Sequence, residues 1–210
     1  MQILLTIFIL LAAILSIILV LWKFVFLRNP TPVVPKGENL VLSPANGNVA
    51  RIYEFSNGKT ETAEKGFFGK IPLITKDVAK EGYIILIRLH VYNIHWQRAP
   101  MTGIVESTTY TKGKFLNAVN DVYNMQCFFE NERNEIIISG KIKCKVVQIA
   151  GYLARRIECF VKQGDKVSIG DSVGLINLGS QTALIIPKIK LKIKEGDVLQ
   201  VGETVVGTIR

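Results

Sequence analysis

Histidine and cysteine are scarce, with two and three copies in 210 residues. Cys127, Cys144 and Cys159 are odd in number, lack C-x-x-C spacing and have no histidine pair nearby. Neither a disulfide framework nor a bound metal is expected, and the thiols read as small apolar residues. Acidic residues are outnumbered, 17 against 26 Lys and Arg, for a formal net charge of +9. That balance suits nucleic acid or an anionic membrane surface. After residue 28 no segment sustains a 3.6-residue apolar period, which excludes a helical bundle; "YLARRIECFV" (152–161) is the one stretch that reads as a short helix.

What is abundant is apolar residues, 49% of the chain, concentrated at the start. From Ile3 to Trp22 only Thr6 and Ser16 interrupt an aliphatic run. Twenty helical residues rise about 30 Å, the thickness of a bilayer's hydrocarbon core. No Lys or Arg precedes the run, and Lys23 with bulky neighbours follows it, unlike a cleaved signal peptide. A transmembrane anchor over residues 1–28 is expected, with Trp22 at the interface. Lys23 and Arg28 at its C-terminal end place the remaining chain in the cytoplasm. The anchor turns the basic charge toward the membrane and away from nucleic acid as a partner.

Pro30, Pro32 and Pro35 mark residues 29–39 as an extended linker, and a domain follows over 40–210. Its segments are short and β-like: "GNVARIYEF", "GYIILIRLHVYNI", "GIVESTTYT", "EIIISGKIKCKVVQIAG", "TALIIP". "KIKLKIK" (188–194) alternates lysine with aliphatic residues, as in a strand with one wet basic face; it serves either as a lysine-guarded edge or as a membrane-facing strip. "VKQGDKVSIGDSVG" from Val161 and "IKEGDVLQVGETVVG" from Ile193 repeat one pattern 32 residues apart, each with Gly-Asp at a turn. The expected fold is mainly β, a sandwich or barrel-sandwich hybrid with hammerhead-type repeats behind one transmembrane helix. No lysine occupies a hairpin tip as a biotin or lipoate carrier would require.

Between the two repeats lies "INLGSQTALIIP" (176–187), where Gly179 and Ser180 interrupt a strand-like run. A glycine there marks a bulge or a close backbone approach. Several motifs, taken in order, resemble the phosphatidylserine decarboxylase family: "FLRNP" at Phe26, "VLSPANG" at Val41, "VYNIHWQRAPMTG" at Val91, "KGKFLNA" at Lys112, "ENERN" at Glu130, "VVQIAGYLARRIECFV" at Val146 and "LGSQ" at Leu178. The resemblance implies a self-cleaving proenzyme. Ser180 attacks the Gly179 carbonyl, the chain splits into 1–179 and 180–210, and the serine remnant becomes a pyruvoyl group, the Schiff-base carbonyl of the reaction. It also implies a phosphatidylserine or archaetidylserine substrate, two cleaved chains that stay associated, and a homodimer.

The chemistry has its own logic. Decarboxylating an α-amino acid leaves an electron pair that no ordinary side chain absorbs, and a carbonyl made from the chain substitutes for an imported cofactor. Gly179, with no Cβ, tolerates the backbone approach an acyl shift needs. Ser180 needs a base; His95 stands where the family motif has its histidine, whereas His90, expected on the opposite face of a continuous strand, reads as structural. Arg98 is the candidate to hold a lipid carboxylate or phosphate, with a structural ion pair as the alternative. Arg155 and Arg156 read as a solvated pair, and Phe67 and Phe68 as loop packing, with lipid contact the lesser reading of each.

The chain departs from the family pattern at Asn46, Asn93 and Asn29, where aspartates are expected. Asn46 can orient His95 but cannot balance an imidazolium; in serine proteases the same exchange lowers the rate by roughly 10⁴. Three readings stay open: an enzyme that uses Asn46 with another carboxylate, an unprocessed lipid-binding pseudoenzyme, or deamidation at Asn46–Gly47. A non-enzymatic adaptor would need neither Ser180 nor His95.

Overall fold

The structure, a computed structural model, describes residues 2–57, 59–60, 71–117, 125–152, 156–177 and 180–209, with Ser180 described through its backbone. Gly179, Arg155, Phe67, Phe68 and the Ser180 side chain lie outside the described residues.

Helix α1 (Gln2–Leu21) has no buried residue and runs into a π-helical turn, Trp22–Phe26. The domain then lays down β1 (Leu40–Leu42), β2 (Gly47–Ser56), β3 (Lys59–Thr60), α2 (Ile71–Thr75), β4 (Glu81–Leu89), β5 (Trp96–Arg98) and β6 (Gly103–Thr111). There follow α3 (Gln126–Glu130), β7 (Arg133–Gly140), β8 (Lys143–Ile149), β9 (Arg156–Cys159) and β10 (Lys166–Val167). The chain ends with β11 (Ser172–Asn177), β12 (Ser180–Pro187), β13 (Lys190–Leu191), β14 (Val198–Leu199) and β15 (Val205–Thr208). Mainly β architecture behind one apolar helix is what the sequence led us to expect.

A large antiparallel sheet runs β10-β6-β7-β8-β12-β4-β2-β14, with β3 beside β2, and two three-stranded sheets, β1-β15-β13 and β5-β11-β9, accompany it. Ile85, Ile87, Val146, Leu184 and Ile186 on one face of the large sheet join Val41, Val173 and Val206 of the small sheets in one core. The opposite face, with Ile84, Leu86, Val147 and Ile185, is covered by Ile71 and Ile74 of α2 and by Phe128 of α3. Strands β4 and β12 are therefore buried on both faces, which explains why they read as unbroken aliphatic runs.

The repeat is structural. Gly164 and Gly196 both adopt positive φ (+92° and +89°), a conformation that suits glycine. The Lys162 N–H donates to Asp165 Oδ2 at 2.9 Å, and the Lys194 N–H to Asp197 Oδ2 at 2.9 Å. Gly164 N–H then bonds Val105 O on β6, while Gly196 N–H bonds Val49 O on β2. That correspondence exposes a second pair of matching segments, "SPANGNV" (43–49) and "APMTGIV" (99–105). Each reaches across to the other: Leu42 N–H to Pro100 O at 2.9 Å, Arg98 N–H to Pro44 O at 3.0 Å. The strands β1-β2-β13-β14-β15 and β5-β6-β9-β10-β11 thus form two interlocked equivalent sets, with β7, β8, β12 and β4 in the large sheet between them.

Three expectations change. The 152–161 stretch supplies strand β9 rather than a helix, because Ile157 and Glu158 find ladder partners in Ile176 and Leu175 of β11. The run 82–94 is not one strand: β4 stops at Leu89 and the chain turns at 90–93, so His90 and His95 do not sit on opposite faces of a common strand. The lysine run keeps its alternation, Ile189 buried and Lys188, Lys190, Lys192 and Lys194 exposed, but only Lys190–Leu191 pairs as strand, at the edge of its sheet. That placement fits the edge-guarding role.

Because the two repeat turns are equivalent, Asp165→Ala and Asp197→Ala should each lower stability by about 1 kcal/mol. Denaturant unfolding of the detergent-solubilised chain measures both; a large loss from one and none from the other would contradict the equivalence.

Candidate active site around His95

Two chain segments cross between the same two sheets at the same place. Leu89, the end of β4, pairs with Ser180, the start of β12, and Trp96 of β5 pairs with Leu175 of β11. The turn 90–95 therefore joins the two strands that pair with the end of β11 and the start of β12, and His95 is tied to β11 directly: Ile176 N–H donates to His95 O at 3.1 Å. The pairing brings His95 and Ser180 into one corner of the fold.

Asn93 shapes the turn. Its N–H donates to His90 O at 2.9 Å, and its Oδ1 accepts from the His90 N–H at 2.7 Å, closing a short side-chain-stabilised loop. The Asn93 carbonyl lies 2.8 Å from His95 Nδ1. A carbonyl oxygen only accepts, so Nδ1 carries the proton in the neutral ring and Nε2 is left as the basic nitrogen. His95 is wholly buried, and burial is the main reason its pKa falls to about 4; the Asn93 carbonyl opposes that fall and the Arg28 cation adds to it. At neutral pH the imidazole is an uncharged base.

Asn46 does not occupy the position expected of it. Its Oδ1 accepts from Asn93 Nδ2 at 2.8 Å and from the Ile94 N–H at 3.2 Å, while its Nδ2 donates to Leu199 O at 3.0 Å. It orients the loop that orients His95, one residue removed from the ring. The protease comparison fails for the same reason: there the carboxylate sets the tautomer, whereas here a backbone carbonyl sets it. Both ends of Asn46 and both ends of Asn93 are used, and neither carboxylate could donate. Deamidation at Asn46–Gly47 is also disfavoured, since Gly47 is held in β2 opposite Leu199 and Asn46 is bonded at both ends.

Arg98 is buried, and its guanidinium is engaged. Nη1 donates to Gly170 O at 2.7 Å, and Nη2 to Asn29 Oδ1 at 2.5 Å and Pro30 O at 3.0 Å. Burial lowers its pKa and Asp171 counteracts the shift. The role is structural but not the ion pair expected: Arg98 straps the linker to a repeat turn through carbonyl and amide oxygens. Arg156 pairs with Glu158 at 3.2 Å on the surface. His90 is half-buried and stacks on Tyr92 with ring centroids 5.2 Å apart.

The sequence reading missed a buried amide ladder. Asn134 Nδ2 donates to Gln148 Oε1 at 2.8 Å, Gln148 Nε2 to Gln97 Oε1 at 2.9 Å, and Gln97 Nε2 to His95 O at 2.8 Å. The available signal was polar residues at core-facing positions of otherwise apolar strands: Asn134 before "EIIIS", Gln148 after "KVV". Thr182 is also buried, and its Oγ1 has no partner among the described residues. Thr182 lies two residues along β12 from its first residue, Ser180.

The family profile for phosphatidylserine decarboxylase matches residues 20–207. The chain belongs to the phosphatidylserine decarboxylase family. A phosphatidylserine decarboxylase proenzyme of Xanthobacter autotrophicus is 34% identical over 189 residues, covering 89% of this chain and 73% of its own. One of Geotalea uraniireducens is 35% identical over 196 residues, 92% of this chain and 82% of its own. A Methanocaldococcus jannaschii protein, provisionally named an archaetidylserine decarboxylase proenzyme, is 34% identical over 194 residues, 91% and 92% of the two chains. The family match spans the apolar helix's last turn, the Asn46–Asn93 pair, His95 and Ser180.

Replacing Asn93 by Asp in this family member leaves the Asn46 Oδ1 facing a carboxylate oxygen, and flipping Asn46 only moves the conflict to Leu199 O and the Ile94 N–H. The variant should lose about 1–3 kcal/mol of stability. An unchanged unfolding midpoint would show that the amide pair does not organise the loop.

Proposed function

We propose that the chain is a self-cleaving decarboxylase proenzyme acting on a serine phospholipid, with Ser180 as nucleophile and His95 as base. The observation that carries this reading is the register that pairs Leu89 with Ser180 while the Asn93 carbonyl leaves Nε2 of a neutral His95 as its basic atom. His95 Nε2 takes the proton as Ser180 Oγ adds to the Gly179 carbonyl carbon, and the peptide becomes an ester. Loss of the residue-180 Cα proton breaks the ester C–O bond and frees the Gly179 carboxylate. Water then displaces the nitrogen as ammonia, leaving a ketone at the new N-terminus.

The residues around Ser180 fit such a group: Ser180 opens β12, and the buried Thr182 hydroxyl has no partner among the described residues. That pyruvoyl carbonyl supplies the electron acceptor for decarboxylation. The chain's own part is to exclude water around His95 and hold its proton on Nδ1, which makes Nε2 the basic nitrogen. The released segment 180–210 carries β12, which pairs along its length with β4 and also with β8, so the two chains would stay associated.

The helix Gln2–Phe26 is long and apolar enough to cross a membrane; as an anchor it would hold the domain against its lipid substrate, on the cytoplasmic side by its flanking basic residues. The substrate reading is of the phosphoserine headgroup. The near full-length match to the archaeal relative supports archaetidylserine as the second reading.

The purified chain should separate under denaturing conditions into 1–179 and 180–210, the shorter piece blocked to Edman degradation and reactive toward hydroxylamine, while Ser180→Ala stays intact. Intact mass decides it; an unmodified Ser180 in a continuous wild-type chain would overturn the reading. Because the folded pKa of His95 lies below its unfolded value of 6.5, cleavage should hold its rate from pH 8 to about 5 and fall as pH drops through about 4. The same depressed pKa contributes about 3 kcal/mol of stability above pH 6.5 that is lost as pH falls from 6.5 to 4.

A further inference from the structure

Helix α1 is exposed along its whole length, and within its exit turn Phe26 is the buried residue. From Phe26 onward, successive residues are gripped by one short stretch of the domain. The Phe26 ring lies 4.2 Å from the His95 ring, centroid to centroid, tilted by 35°. Leu27 O accepts from Trp96 Nε1 at 3.2 Å, and the Arg28 guanidinium donates to Tyr92 O at 2.5 Å and to Val25 O. Arg98 then holds Asn29 and Pro30, and Trp22 stacks on Phe26 from the helix side at 4.7 Å. Residues 26–30 are thus bound to residues 92, 95, 96 and 98. A flexible tether would need none of these contacts.

The apolar helix with its exit turn is 25 residues long. At 1.5 Å per residue this is about 37 Å, against about 30 Å of hydrocarbon core. Trp22 and Lys23 in the exit turn are headgroup-level residues, so a helix spanning a bilayer would set that turn among the headgroups with His95 beside it.

We propose that Phe26 is a positioning residue for His95, its ring forming the wall that sets the imidazole plane and excludes water, so that the anchor's end is part of the site and fixes it at headgroup height. The proposal rests on His95 acting as the base. Alanine at 26 opens the buried side of the imidazole; leucine refills most of it. The groups bearing on the ring's charge are the Arg28 cation and the Asn93 carbonyl, and neither is altered by either change. A lipid headgroup would reach such a site without its chains leaving the bilayer.

The test uses the full chain in lipid nanodiscs, wild type and with Phe26→Ala or Phe26→Leu, plus a chain in which residues 2–21 are exchanged for another apolar helix of equal length. His95 is titrated by NMR in the uncleavable Ser180→Ala background, and self-cleavage is timed with Ser180 intact. Phe26→Ala should raise the His95 midpoint by about one to two pH units and make cleavage roughly two- to tenfold slower at pH 5 than at pH 8. Phe26→Leu should recover most of both, and the helix exchange should change neither. A His95 titration unmoved by Phe26→Ala, or a helix exchange as damaging as Phe26→Ala, would overturn the proposal while leaving the decarboxylase reading intact. Absence of cleavage in the wild type would instead remove that reading, with the titration still reporting on Phe26.

Discussion

One hydrogen bond organises the candidate site: His95 Nδ1 to the carbonyl of Asn93, at 2.8 Å. It fixes which nitrogen is basic, and it does so from the backbone, so its geometry depends on the loop 90–95 rather than on a carboxylate. Everything else around the ring supports that loop. Asn46 holds it from β2's leading edge, the turn between His90 and Asn93 closes it, and the Asn134–Gln148–Gln97 ladder holds the His95 carbonyl from the sheet side. A buried amide network of this kind is stable only when its members are satisfied, which explains why two amides rather than two acids suit positions 46 and 93. Asn29 accepts from Arg98 through its oxygen alone, and nothing in the structure explains an amide there.

The site lies at a seam of the two-fold repeat. Each half contributes a small sheet, a bulged strand of the large sheet and a pair of glycine turns, and β12 passes through the centre of the large sheet between β4 and β8. Were the chain cleaved before Ser180, the 180–210 piece would still be paired through β12 with β4 and β8 of the other piece.

Elements with a strong local signature were legible. The apolar helix, the strands β2 and β6 and the Gly-Asp repeat all follow from period and turn chemistry, while the 135–151 run, read as one β-like segment, folds as the hairpin β7–β8. His95, Gly179 and Ser180 stood out through their motif context as candidates, and of these the structure describes His95 and the Ser180 backbone. Arg98 was legible as important but not in its role, because whether a guanidinium faces solvent or straps a linker depends on what folds over it. Residues 156–159 were misread for a similar reason: a short mixed segment takes the structure of the edge it pairs with.

By itself the sequence determined that a β domain follows an apolar helix, that a Gly-Ser bond interrupts a strand-like run, and that one histidine has a motif around it, since each is written in neighbouring residues. Tertiary structure alone decided that Asn46 acts on Asn93 instead of His95, that 43–49 and 99–105 are equivalent, and that Phe26 lies on the catalytic candidate. Those are contacts between segments up to 69 residues apart, as between Leu27 and Trp96. No local pattern encodes them, because they exist only once the sheets have packed and the anchor's end has met the loop.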